Sequence, residues 1–263
     1  MKKNKLLRNL FIILVFIFLY LPIIILVLYS FNDSKMNIVF THFTLRWYKE
    51  LFQNDNLLNA FTNTMIIAVA STVISTIIGT ISAVGLHKYK FPMKNLINGL
   101  IYIPIVIPEI VLGISLLSIY TLSKLELGMF TILLSHIAFS IPFVITSVRS
   151  TLNSITPQIE EAAYDLGATK FKTFWYVTLP MITPGVVSGA TLAFTLSLDD
   201  VVISYFTAGP GSNTLPLKIY SMIKTGITPD VNALSTLILL VTILVLSSSA
   251  IYQAKKIQKR EMI

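Results

Sequence analysis

"SITPQIEEAAYDLGATKFKTFWYVTLP", Ser154 to Pro180, is a polar and amphipathic stretch set between two long apolar runs. Thr156 followed by Pro157 fits an N-cap with proline at the first helical position. Glu160 and Glu161 then fall in the first turn, where the helix dipole favours negative charge. Ala162 and Ala163 leave a helix surface without bulk, open to the close approach of another backbone. Gly167 stands where a helix C-terminus needs a left-handed residue. Beyond it, Phe171, Phe174 and Trp175 recur at i, i+3 and i+4, an apolar stripe for a second short helix that Pro180 closes. The residues alone leave two uses open for this hairpin: packing beneath its own bundle, or docking on a partner.

Working outward, six apolar stretches flank and follow it: Leu10–Ser30, Asn63–Leu86, Ile97–Tyr120, Phe130–Val148, Pro180–Phe206 and Val231–Tyr252. Runs of about 20 apolar residues match a hydrocarbon core of roughly 30 Å. Lipid offers the backbone no hydrogen-bond partner, so such spans are helical. Only 12% of the 263 residues are charged and 54% are hydrophobic, where a soluble domain carries roughly 25% charged. The expected class is an all-α membrane protein with six transmembrane helices. The leading "MKKNKLLRN" could open a signal peptide, but its apolar run is longer than a signal's, and "LVLYSFN" lacks a small-x-small cleavage pattern. We read it as a retained anchor. The expected division is residues 1–60 as anchor helix and first external loop, 61–252 as the membrane domain containing the 154–180 loop, and 253–263 as a basic cytoplasmic tail.

Charge sets the orientation. Lys2, Lys3, Lys5, Arg8, Lys88, Lys90, Lys94, Arg149, Lys170, Lys172, Lys255, Lys256, Lys259 and Arg260 fall on one side of the bilayer, and Lys35, Arg46, Lys49, Lys124, Lys218 and Lys224 on the other. The positive-inside rule puts the richer side, and with it both termini, in the cytoplasm. Topology thus accounts for the net charge of +8, and no nucleic-acid partner is expected. The chain has no cysteine, which excludes disulfides and thiolate metal sites. His42, His87 and His136 are far apart and next to no acidic cluster, so no metal site is expected. Ser135–His136 has neither the third group nor the oxyanion site of a hydrolase. No catalytic residue is expected.

Acidic residues inside the spans need another account. "TLSLDDVVIS", Thr195 to Ser204, carries Asp199 and Asp200 side by side, with Ser197 near them and apolar sequence continuing beyond. A charge at mid-bilayer costs about 2.5 kcal/mol or more. Adjacent helical residues point about 100° apart, so both carboxylates leave lipid only where a broad face borders water or protein. Glu109, in "YIPIVIPEIVLG", lies near the middle of the third span between helix-disrupting prolines. No Lys or Arg lies within the spans to neutralise these groups. An acidic cavity that meets a positively charged passenger satisfies all of this; a proton relay uses similar residues, and the structural alternatives are an Asp pair solvated at an outer helix end and a Glu109 paired with an internal or partner's cation. In "FTLRWYKELF", Phe43 to Phe52, Trp47 reads as an anchor at the membrane edge, or as part of an outer gate stacking on amines.

"EAAYDLGATKFKTFWYVTLP" resembles the cytoplasmic EAA loop of ABC importer permeases: Glu161, Ala162, Ala163, Gly167, Leu179 and Pro180 match in type and spacing, and Val177 stands where the pattern has Ile. "LDDVVISYFTAGPGSNTLPLKIYSMIKTGITPDVNALSTLIL", Leu198 to Leu239, is similar to the second permease subunit of spermidine/putrescine ABC importers. The resemblance implies a type I ABC importer permease (MetI-like) fold in a bacterial inner membrane. It also implies ATPase coupling through Glu160, Glu161, Ala162, Ala163, Asp165, Gly167, Leu179 and Pro180, and makes polyamines the passenger expected along Asp199, Asp200, Glu109, Ser197 and Trp47, the pathway the residues themselves nominate. Implied partners are a second permease, two copies of an ATPase subunit and an external polyamine-binding protein. No cofactor is expected in this chain, which has no G-x-x-x-x-G-K-[ST] loop; ATP and Mg would bind to the ATPase subunits. Two other readings stay open: a permease for another solute, and a proton-coupled carrier needing no ATPase.

Overall fold

The computed structural model describes residues 2–34, 39–225 and 229–244. Its helices are α1 (Lys2–Tyr29), α2 (Arg46–Leu51), α3 (Asp55–Lys88), α4 (Lys94–Val106), α5 (Glu109–Leu122), α6 (Met129–Leu152), α7 (Gln158–Asp165) and α8 (Lys170–Thr173). A π turn (Phe174–Thr178) leads into α9 (Leu179–Asp199), followed by α10 (Val202–Thr207) and α11 (Leu215–Thr225); α12 is Pro229–Leu244. Among the described residues, four helices are long and apolar enough to cross a membrane, or five if the bent pair α4–α5 counts as one span. The expected sixth span, Val231–Tyr252, is described only as far as Leu244; its remainder and the basic tail lie outside the described residues.

The chain forms two compact units, Met1–Leu58 with Ser221–Ile263, and Asn59–Tyr220. In the first, α1 presents apolar side chains to its surroundings between Leu7 and Leu28. The loop after it is tied by backbone bonds between Asp33 and His42 and between Thr44 and Phe31. Asn32, fully buried, stitches the loop from inside by donating to Val39 O and accepting from Thr41 N–H, both at 2.8 Å. Trp47 is only 4% exposed. Its indole N–H donates to Asn32 O, and the Arg46 guanidinium lies 4.3 Å above its ring. The membrane-edge anchor expected at Trp47 is therefore not what the fold makes of it: the ring is a packing element, because burying the indole and satisfying its N–H inside the loop outweighs exposure. In the same unit Asn54 donates to the buried Asp230 at 2.6 Å.

The second unit is organised on α6. Ala83, Val84 and Leu86 of α3 pack with Val144, Ile145, Val148 and Leu152 of α6 and with Ile182 and Ala193 of α9. Glycine permits this closeness. A Cβ on Gly79 would lie 2.7 Å from Val144 Cβ, one on Gly189 would lie 3.1 Å from Val144 Cα, and one on Gly185 would strike Thr151. Hydroxyls on exposed faces fold back on the backbone: Thr183, Thr191 and Thr195 each donate to the carbonyl four residues earlier, which lowers the cost of a polar group in lipid.

Two expected spans are broken. The third, Ile97–Tyr120, is two helices bent by 110°. Pro108 holds Ile107 in an extended conformation (φ −69°, ψ 135°), as the residue before proline prefers, so α5 starts afresh at Glu109. The fifth, Pro180–Phe206, is both longer and shorter than expected. Its helix runs without a gap from Lys170 to Asp199, stops at extended Asp200 (φ −63°, ψ 126°), and resumes as α10. Nor does Pro180 close a separate hairpin. In the π turn just before it, the Leu179 N–H reaches back five residues to Phe174 O, so the change of register falls where proline removes a helical donor anyway.

Gly79→Leu should lower the stability of the detergent-solubilised protein by about 2–3 kcal/mol through overpacking against Val144. Thermal unfolding followed by circular dichroism measures this, and Gly99→Leu, which opens onto free space, is the control.

Candidate functional site

The breaks in the two spans face one another. A cavity of about 360 Å3 is lined by Glu109, Asp199 and Asp200, with Phe139, Phe143 and Leu112 among its apolar walls. The structure thus brings the three carboxylates to one hollow, and no Lys or Arg lines it. The volume is within the range of small-molecule sites, roughly 300–1,000 Å3. Glu109 is exposed at the start of α5, and Asp199 is exposed at the end of α9.

The adjacent aspartates have different environments. The Asp200 side chain is turned inward, where it accepts the N–H groups of Ile203 (3.2 Å) and Ser204 (2.7 Å) and so caps α10. His136 Nε2 lies 3.3 Å from Asp200 Oδ2 and 3.2 Å from Ser204 Oγ. The other ring nitrogen, Nδ1, lies 2.6 Å from Ser197 Oγ, which in turn accepts a 3.0 Å hydrogen bond from Ser71. The resulting chain of polar groups, Ser71–Ser197–His136–Ser204–Asp200, joins α3, α9, α6 and α10. Each member is 9% exposed or less. Ser197, expected on the passenger's path, belongs to this network and does not line the hollow. Trp47 belongs to the first unit.

His136 is the residue that sequence reasoning missed. In the sequence it is adjacent to no acidic cluster, yet the fold places it against Asp200, 64 positions away. The one local signal was its position on a span: a polar ring on an apolar helix needs a partner.

The 154–180 stretch forms a second assembly. No side-chain cap forms at the start of α7, whose N-cap position is Pro157; the Thr156 cap expected from sequence is not made. The C-terminal end is as expected. Gly167 has φ +84°, and the bonds from Gly167 N–H to Tyr164 O and from Ala168 N–H to Ala163 O close a Schellman turn. Glu161, Ala162, Asp165 and Gly167 are exposed, whereas Ala163, Leu179 and Glu160 are half-buried. Leu166, Phe171, Trp175 and Tyr176 are also exposed, Leu166 to 90%. Phe174, placed by the sequence in the same stripe, instead packs on the core of the unit.

Glu160 faces inward. Its carboxylate pairs with Lys88 Nζ at 2.8 Å and accepts the hydroxyl proton of Thr178; Lys88 also lies 3.4 Å from Thr178 Oγ1. Burial works against the charged form of Glu160, but the hydrogen bonds from Lys88 and Thr178 and the Lys88 charge outweigh it, leaving the carboxyl below its ordinary value of 4.5.

Residues 75–260 match the pattern of the binding-protein-dependent transport system inner membrane component family. The chain belongs to that family. Members are permease subunits, the membrane-embedded transport components of ABC importers and not enzymes. The permease is 42% identical over 252 residues to the spermidine/putrescine transport system permease protein PotC of Escherichia coli (strain K12), covering 96% of each chain. It is 42% identical over 220 residues to the putrescine transport system permease protein PotI of the same strain, covering 81% of this chain and 78% of that one. Among solved structures, it superposes with a TM-score of 0.71 and 17% identity on a chain of a bacterial ABC transporter involved in the import of the acidic polysaccharide alginate, covering 96% of this chain and 98% of that one. At that identity the likeness establishes the fold.

Two expectations follow for the permease. His136→Leu should cost about 3 kcal/mol by stranding buried oxygens of Ser197, Ser204 and Asp200, with His136→Gln milder; thermal melts of the purified variants measure the difference. The Glu160 contribution to stability should be complete at pH values above 4.5 and should disappear as pH falls through the depressed folded-state value. Melts of wild type and Glu160→Gln should therefore differ at neutral pH and converge in acid.

Proposed function

We propose that the chain is one permease subunit of an ATP-driven importer of polyamines. The acidic hollow carries this reading. A linear polyamine alternates ammonium centres with methylene runs. Exposed carboxylates at Glu109 and Asp199, with Phe139 and Phe143 lining the same hollow, offer charge and cation–π attraction to the first and apolar contact to the second. Weak contact at several points lets a cation enter and also leave. The printed names of the permeases PotC and PotI support the same substrate class.

The expected six-span layout is part of the proposal, with α4–α5 as one bent crossing and α12 as the start of the sixth. So are the cytoplasmic placement of both termini, which the Lys and Arg distribution supports, and residence in a bacterial inner membrane. The partners are a second permease, two copies of an ATPase subunit that bind ATP and Mg, and the external binding protein that the family's description implies. The exposed face of α7, with Glu161, Ala162, Asp165 and Gly167 beside the uncovered Leu166, Phe171 and Trp175, supports seating against the ATPase.

Asp199→Asn and Glu109→Gln should each reduce uptake of radiolabelled spermidine about tenfold at limiting substrate, as expected for loss of a charged contact of about 1.4 kcal/mol. High substrate should partly restore the rate. Unchanged uptake would remove the hollow from the pathway, and uptake by the chain reconstituted without an ATPase would favour a proton-coupled carrier.

A further inference from the structure

Glu160 stands directly before the exposed Glu161, but its side chain takes the opposite course. It is held by Lys88, the last residue of α3, and by Thr178, the last residue of the π turn. Thr178 is 1% exposed, and Lys88 touches both partners, so three separate segments meet in one triangle. The helices leaving it then run in company. From Lys88 back to Ser71 is about 26 Å of α3, and from Thr178 to Ser197 about 28 Å of helix, at 1.5 Å per residue. At that far end the two meet again through the 3.0 Å bond between Ser71 and Ser197, two residues before Asp199.

We infer that Glu160 is a positioning residue, a strut that fastens α7 to α3 and α9 so that displacement of α7 is carried to the acidic hollow, and not a contact for the ATPase. This rests on the importer reading above and deepens it. The Ser71–Lys88 half of α3 and the helix from Thr178 to Ser197 are joined at two points, by Lys88–Glu160–Thr178 at one and Ser71–Ser197 at the other, with the glycine-mediated packing on α6 between them. A pair of rails joined at two points moves as one body; α7 held only by its loops would swing without moving them. Glu161, exposed on the same helix, is free for the partner.

The test uses the full complex of both permeases and the ATPase in proteoliposomes, with spermidine-loaded binding protein. Glu160→Gln and Lys88→Gln should retain the ATPase subunit at wild-type stoichiometry on affinity purification, while spermidine taken up per ATP hydrolysed falls at least fivefold. The exchanged pair Lys88→Glu with Glu160→Lys should recover at least half of that ratio, which a general loss of folding would not allow. Lys88→Gln leaves α7 unaltered and serves as the readout should Glu160→Gln assemble poorly. The inference is overturned if Glu160→Gln releases the ATPase subunit, or if transport per ATP is unchanged in both single variants. A wild-type chain that retains no ATPase at all would instead defeat the importer reading.

Discussion

A carboxylate at membrane depth persists only where something answers its charge, and this permease answers Asp200 with two backbone N–H groups and an imidazole. That arrangement needs α9 to stop, α10 to start, and α6 to present His136 at the join. Once α10 begins with its N–H groups on Asp200, the neighbouring Asp199 is left at a helix end, facing the hollow. The inner aspartate is thus part of the scaffold, and the outer one is displayed by it. In an unbroken helix the two carboxylates would instead have pointed about 100° apart, and both would have needed a broad polar face.

The opposite end of α9 obeys a related constraint. Proline at position 180 removes one helical donor, and the π turn ahead of it takes up the change of register without ending the helix. The 170–178 segment and the span are therefore one continuous rod, with Thr178 facing inward and Trp175 and Tyr176 outward. Had the chain broken at Pro180, the loop would have been joined to the membrane domain only by flexible connections.

Much of this was legible in the sequence, for reasons that lie in short-range physics. Apolar run length identified α1, α3, α6 and α9; glycine at 167 announced its left-handed turn; acidic residues without internal cations pointed to a shared hollow. What escaped reading was set by tertiary contact. Nothing near His136 foretells Asp200, because the partner arrives from another helix. Glu160 and Glu161 are indistinguishable as neighbours in a first turn, and only the position of Lys88 at the end of α3 separates them. Trp47 looked like an interfacial ring until Asn32 supplied a carbonyl for its N–H. The 110° bend was half-visible: Pro108 marked the place but not the angle.

The glycines of α9 that pack against α6 have a mechanical consequence. Gly185, Gly189 and Ala193 recur every four residues on α9, and Val144 rests in the notch at Gly189. Neighbouring notches stand about 6 Å apart along the axis, with bulkier side chains between. Meshed in this way, the helices resist creeping lengthwise past each other by small amounts, much as gear teeth resist slipping, while rolling about the seam displaces no side chain from its notch. Any reshaping of the hollow that preserves this mesh is therefore a tilt and not a slide.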